Sequence, residues 1–366
     1  MQIIENRLTS FIMDYPINDI CSPKEALFVD IETTGFNAKS SVLYMIGCAY
    51  FDSGSWTVKQ FFAEAANDEG IIIGAFASLA SSYKVLIHFN GNHFDIPYLS
   101  EKCEQYNIEP HFSSLKGIDL YKRLSAVTGL LKVPDCRQRT LEEFTGIERA
   151  NPTLGKDMIS VYEHYLIEPS AELRDRLLEH NYDDMTGMLS IIKLLAYSDI
   201  CIKPQRVVKA RTQHCIDYSG KSGIELVMKL SLSSDIPSDV STSSHGCYLK
   251  CNGRDGFLKV PVFDEEMKYF YANYKDYYYI PEKDTAVHRS VSSFIDPSKR
   301  IPATAADCYT KKAALFIPIW NSSLGPFFKR SSNSKDTFIE LTDKRKTDRD
   351  FFSKYAGQVI EMISCG

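Results

Sequence analysis

What this chain lacks narrows the field first. Its ten cysteines include no CxxC pair, so a zinc site is not expected and no spacing supports a disulfide framework. Reduced thiols, and with them a cytoplasmic location, are the expectation. No apolar run approaches the roughly 20 residues that a membrane-spanning helix needs. Met1-Gln2-Ile3-Ile4-Glu5-Asn6-Arg7 lacks the basic-then-apolar order of a signal peptide. Membrane association is therefore not expected. There is no internal repeat and no long low-complexity tract. What is present is a chain of 366 residues, 44% hydrophobic and 24% charged, long enough for two domains with separate cores.

The net charge of −5 is unevenly placed. Residues 1–200 hold 17 Lys+Arg and 28 Asp+Glu, a balance of −11, whereas residues 201–366 hold 25 and 19, a balance of +6. An acidic half joined to a basic half suits a cation site beside a polyanion-binding module, although chance also produces such a division.

The chain is organised around Leu27-Phe28-Val29-Asp30-Ile31-Glu32-Thr33-Thr34-Gly35-Phe36. The apolar residues predict a strand over 26–32, and in a strand residues i and i+2 share a face. Asp30 and Glu32 thus leave one side of an otherwise buried element. Two like charges repel, and burying them unpaired costs several kcal/mol or more. A hard divalent cation relieves both costs. The plain alternative is an edge strand with both acids on its wet side.

Residues 1–25 read as a lead-in segment. Val42–Phe51 and Trp56–Phe62 predict two further strands joined by a turn at Asp52-Ser53-Gly54-Ser55, and Asn67-Asp68-Glu69 opens a helix to about Ser82. Lys84–Phe89 predicts a fourth strand. Asp95 follows that strand's carboxyl end at a helix start, the edge where open α/β sheets bind ligands. Helix N-terminal capping explains an acid there, but not the polar Asn90 and Asn92 before it. Residues 118–131 and 139–146 read as helices. Asp119 is expected to begin the first and Thr140 to cap the second. Arg137 and Arg139 either touch phosphate or are solvated. Ser170 is expected to cap a long helix over 172–196. Within it His180 and Asp184, at i and i+4, share a face. Such a pair is also a common structural arrangement, and Tyr182 and Asp183 compete for the same role.

VDIETTG, HFNGNHFDIPYL and HNYDDMTGM together resemble the motifs of the DEDD superfamily of exonucleases on a ribonuclease-H-like fold. The connecting GIDLYKRL and RQRTLEEFTGIER are similar to the YprB-like branch. The resemblance covers about residues 20–197 and implies an α/β fold, a mixed sheet flanked by helices. It also implies 3′→5′ exonucleolytic hydrolysis of single-stranded DNA or RNA assisted by two Mg²⁺ or Mn²⁺ ions about 4 Å apart. By the family pattern Asp30 bridges both ions, Glu32 and Asp184 complete one shell, and Asp95 reaches the other largely through water. His180 takes the proton from attacking water, with Tyr182 as the competing base. Thr33, Thr34, Gly35, Asn90 and Asn92 are the candidate substrate contacts. The better known branches place His five residues, or Tyr four, before the last Asp; here His stands four before Asp184. The alternative function is a nucleic-acid-binding protein that keeps the fold with little or no turnover.

The expected division is a ribonuclease-H-like domain over 1–200 and a smaller β-rich (α+β) module over 201–366. In the latter, 223–232 and 314–320 read as strands and YLKCNGRDGFLKVPVF as a hairpin turning at its Asn-Gly and Asp-Gly. A short helix is expected over 284–294. The aromatics of 267–281 (Tyr269, Phe270, Tyr271, Tyr274, Tyr277, Tyr278, Tyr279) interleave with Lys268 and Lys275. They suit either a base-stacking platform or the filling of a small β-core. The tail is basic at Lys329-Arg330 and Lys344-Arg345-Lys346.

Overall fold

The structure is a computed structural model that describes every residue except 150–154, 217–219, 221 and 365–366. The chain falls into two compact units, Met1–Thr128 with Lys132–Ser198, and Gly129–Leu131 with Asp199–Gly366.

The first unit is built on six strands: β1 (Gln2–Leu8), β2 (Ala26–Thr33), β3 (Leu43–Asp52), β4 (Ser55–Phe62), β5 (Val85–His88) and β6 (Lys116–Asp119). They lie in the order β1-β4-β3-β2-β5-β6. The β1–β4, β4–β3 and β3–β2 pairs are antiparallel, and β2–β5 and β5–β6 are parallel. This is the expected mixed sheet, with β2 at the seam between its two halves. The helices of this unit are α1 (Glu69–Ala80), α2 (Asp95–Tyr106), α3 (Leu120–Ser125), α5 (Gln138–Phe144), α6 (Gly155–Ile167) and α7 (Ala171–Ile191), while α4 (Thr128–Leu131) and α8 (Leu195–Ile202) straddle the division between the units. The core joins Leu27, Val29 and Ile31 of β2 to Ile73 and Phe76 of α1, Leu99 of α2 and Tyr162 of α6. A run of helix over Ala171–Ile202 is long and apolar enough to cross a membrane by composition, but 72% of its apolar window is buried within the protein, as in a core helix.

Four local expectations fail in this unit. The lead-in contains β1, an edge strand whose alternation is masked by polar outward residues. The helix expected over 118–131 is broken into α3 and α4, and Ile118 and Asp119 end β6, a strand too short to read as one; Asp119 nevertheless starts a helix as expected, as the N-cap of α3. Arg137, not Thr140, is the N-cap residue of α5, and the Thr140 hydroxyl instead donates to Asp135 Oδ1 at 2.6 Å. The predicted helix over 172–196 is interrupted by a 3₁₀ turn over Ile192–Leu194, although Ser170 caps it as expected, accepting from Leu173 N at 3.2 Å.

The second unit contains β7 (Arg206–Ile216), β8 (Ser222–Ser244), β9 (Cys247–Phe270), β10 (Tyr277–Ile280), β11 (Thr285–His288), β12 (Ile301–Pro302), β13 (Tyr309–Ile319) and β14 (Thr337–Glu340), with α9 (Asp343–Thr347) and α10 (Arg349–Ser364). One sheet runs β14-β13-β9-β8-β7 and a small one β11-β10-β12. The β-rich expectation holds. The expected hairpin at Asn252–Gly256 does not: those residues lie inside β9, and the turn is His245-Gly246 between Ser244 and Cys247. The predicted helix over 284–294 is instead β11 followed by a 3₁₀ turn over Arg289–Phe294. Tyr271, Tyr274, Tyr277 and Tyr279 pack against Ala286, Ala303 and Cys308, which is the core-filling alternative.

Candidate active site

The site forms where the sheet changes direction. β2 pairs with β5 only over Ala26–Phe28. Beyond that point the backbone N–H of Ile31 has no strand partner on that side, and Asp95 Oδ1 accepts it at 3.2 Å. Asp95 is the first residue of α2 and only 6% exposed. Burial pushes its carboxyl up to about 7 against the opposing pull of backbone N–H donors.

Asp30 and Glu32 flank Ile31 on β2. The ladder slips after Glu32, where Glu32 pairs with Met45 but Thr33 with Leu43. Tyr44 is the extra residue of this bulge, and its hydroxyl lies 3.5 Å from Glu32 Oε2. Bulges commonly re-aim side chains beside active sites. α7 packs across β2, β3 and β4 and delivers His180, Asn181 and Asp184. His180 Nε2 stands 3.7 Å from Glu32 Oε1 and 3.4 Å from Asp184 Oδ2. Asn181 Nδ2 donates to Asp30 Oδ2 at 3.0 Å. Burial pushes the carboxyls of Asp30 and Glu32 well above the ordinary range, and the negative charges of Asp184 and Asp95 push them further. The like-charge cost foreseen for the first two acids is therefore real and is shared among four.

Asp30, Glu32, Asp95, Asp184 and His180 thus come together. Among the described residues the tightest group of metal-capable atoms is Glu32, His180 and Asp184, all within 4.8 Å of one another. His180 lies inside the group as well as beside it, a placement that differs from a base standing apart from the ligands. Tyr182 lies two residues from each of His180 and Asp184, a helical spacing that does not share their face. The five candidate substrate contacts make local hydrogen bonds, Gly35 through its carbonyl and the two asparagines through their backbone N–H groups. Thr33 Oγ1 donates to Gly35 O at 2.9 Å, and Thr34 Oγ1 accepts from Val42 N at 2.9 Å. The N–H groups of Asn90 and Asn92 donate to Asp119 at 3.0 and 3.3 Å. Asp119 also accepts from Lys122 N at 3.2 Å as the N-cap of α3. Its role is to knit the β5–α2 loop to a helix start.

Three residues were not legible as site residues. Asn181 is one. Arg149 is the second: it donates twice to Glu142, at 2.6 Å each, and lies 2.7 Å from Asp184 Oδ1. Gln138 is the third, donating to Glu142 Oε1 at 2.9 Å and to Asp184 O at 2.8 Å. The only sequence signal was the buried acid Glu142, which needs a cation.

Residues 27–196 match the model of the RNase_H superfamily. No curated protein matches the chain. Solved structures similar to it include the family B DNA polymerase of the archaeon Pyrobaculum calidifontis, 13% identical with a TM-score of 0.40, over 70% of this chain and 36% of the polymerase. Another is E. coli exonuclease I in a zinc-bound complex with single-stranded DNA, 15% identical with a TM-score of 0.29, over 58% of this chain and 55% of that one. The chain thus spans about a third of the polymerase's length and about half of exonuclease I's.

Proposed function

With residues 27–196 forming a domain of the RNase_H superfamily, we propose that the protein is a divalent-metal-dependent nuclease, a 3′→5′ exonuclease on single-stranded DNA or RNA. The observation that carries this reading is the convergence of Asp30, Glu32, Asp95 and Asp184 from three separate elements, with His180 beside Glu32 and Asp184. The donor set suits the metal: the acids offer hard oxygen ligands, and burial first, then the neighbouring negative charges, raise the carboxyls of Asp30 and Glu32, costs that a bound cation would relieve. Mg²⁺ or Mn²⁺, two ions in the family pattern, would be held by these four carboxylates and would supply charge stabilisation to a phosphodiester and an acidified water.

The chain's own part is to place and protonate. β2 and α2 fix Asp30, Glu32 and Asp95 on the rigid sheet, and α7 fixes Asp184. His180, wedged between Glu32 and Asp184, holds its Nε2 where it can take the proton of an attacking water and return it to solvent. Nucleic acid is the proposed partner, with Thr33, Thr34 and Gly35 following the acids of β2 and Asn90 and Asn92 preceding Asp95 as its proposed contacts. A cytoplasmic setting is part of the proposal and is supported by nine free cysteines among the described residues.

A second reading, binding without turnover, is favoured by one observation: Arg149 already engages Asp184. The deciding experiment is turnover of end-labelled DNA and RNA oligonucleotides with Mg²⁺ or Mn²⁺, comparing the wild type with Asp30→Ala. Product from the wild type alone supports the nuclease. A 3′-blocked oligonucleotide that resists cleavage supports exonucleolytic action. Equal product from both proteins refutes the assignment, and binding without product selects the second reading.

A further inference from the structure

We propose that Asn181 is a positioning residue that fixes Asp30 for the cation, with Gln60 setting its orientation and Gly47 making room for it. This rests on the metal-dependent reading above.

The strand register brings the parts together. Asp30 pairs with Gly47, and Gly47 with Gln60, so the three lie side by side on adjacent strands. Asn181 descends on them from α7 and is wholly buried, and Gln60 is 1% exposed. The position opposite Asp30 has to be glycine: a Cβ on residue 47 would stand 2.3 Å from Asn181 Oδ1 and 2.8 Å from Nδ2. Asn181 fills the space that a side chain there would take.

The hydrogen bonds have a direction. The carbonyl of Leu178 can only accept, and Gln60 Nε2 donates to it at 2.8 Å. The same nitrogen donates to Asn181 Oδ1 at 3.1 Å. With its oxygen so engaged, Asn181 must present its nitrogen to Asp30, and Nδ2 donates to Asp30 Oδ2 at 3.0 Å. A backbone carbonyl thereby sets the orientation of two buried amides whose oxygen and nitrogen would otherwise be interchangeable. The chain ends in an N–H that can only meet a carboxylate oxygen. It anchors one oxygen of Asp30 and leaves the other, Oδ1, for the cation. An apolar residue of the same shape would fill the space but leave the buried Asp30 Oδ2 without its donor, so the test has to read metal affinity separately from stability.

The test uses the full chain and Mn²⁺ as the probe, titrated by calorimetry, beside oligonucleotide cleavage as a function of Mn²⁺ concentration. The variants are Asn181→Leu and the double variant Gly47→Ala with Asn181→Ala, in which the new methyl refills the space and protects the fold. We expect both to bind Mn²⁺ about 10- to 100-fold more weakly than the wild type. Cleavage should require correspondingly more Mn²⁺ and recover as the metal is raised. Gln60→Leu, which frees Asn181 to turn over, should fall between. Folded variants that bind Mn²⁺ within about twofold of the wild type overturn the proposal. A wild type that takes up no Mn²⁺ overturns it together with the metal reading. Uptake without cleavage refutes only the nuclease assignment, and the calorimetric comparison still decides the role of Asn181.

Discussion

Asp184 divides its carboxylate between two side chains, with the Arg149 guanidinium on Oδ1 and the imidazole of His180 near Oδ2. Arg149 in turn neutralises Glu142, whose side chain is 1% exposed. Breaking a buried pair by removing one partner costs about 3–5 kcal/mol, because the other charge is left stranded. Arg149→Gln is therefore expected to lower stability in urea by about that amount, and Glu142→Gln added to it should restore most of the loss. An unchanged urea midpoint in the single variant would mean that Glu142 is not held by Arg149. The acids also set a pH dependence. Asp30, Glu32 and Asp95 have folded values above their unfolded ones, near 4, so the folded state binds more protons in between. Their contribution is fully present below about 4 and lost as pH rises through about 7, the value for Asp95. The metal-free protein should accordingly gain urea resistance from pH 8 to pH 5, and Mn²⁺ should stabilise it more at pH 8 than at pH 5, where protons compete. A metal-free urea midpoint that falls over that range contradicts the four-acid cluster.

At the scale of elements, what could be read from the sequence followed the strength of the local pattern. β2 to β5 are short apolar runs bounded by turn residues, and the acids on β2 stood out because the rest of the strand is buried. α7 was legible from Ser170 at its start and from Leu173 and Leu177, which extend the face of His180 and Asp184 toward the core. β6 was not, because a four-residue edge strand carries little pattern. The hairpin between β8 and β9 was misplaced for a chemical reason. Asn252-Gly253 resembles a two-residue turn, yet the chain turns at His245-Gly246, both at positive φ (51° and 77°). Gly253 has φ of 52° for a different purpose: β8 carries extra residues between Ser231 and Val240, and the pairing slips twice opposite it. Gly253→Val is thus expected to destabilise the protein by about 1–2 kcal/mol through left-handed strain, measured in urea. Indifference to that change would mean the bulge can relax without glycine. Asn181, Arg149 and Gln138 escaped notice because each meets an acid of the site, Asp30 or Asp184, across the fold and no spacing announces such pairs.

At the scale of the whole molecule, net charge proves a poor guide to where a polyanion binds. The second half is basic by sequence, but several of its cations are engaged by carboxylates or carbonyls of the same half. Arg330 pairs with Glu265 at 2.6 Å, Lys312 with Glu340 at 2.8 Å, Lys311 with Asp284 at 3.0 Å and Lys259 with Glu225 at 3.1 Å. Arg345 donates to the carbonyl of Glu340 at 2.8 Å, and Lys346 lies 2.9 Å from Asp343. The tyrosines beside them fill a core. A cation already paired with a carboxylate releases few counterions when a phosphate approaches. Binding of a single strand without divalent metal should therefore depend weakly on salt. Between about 50 and 200 mM salt the affinity for a short single-stranded DNA, followed by fluorescence anisotropy, is expected to fall about tenfold or less, equivalent to about two or three phosphates neutralised. Mn²⁺ should strengthen that binding, because the four acids of the first half would then attract phosphate instead of repelling it. A fall of about a thousandfold over the same range would require six or more phosphate contacts, and would overturn the argument that internal pairing spends the basic charge.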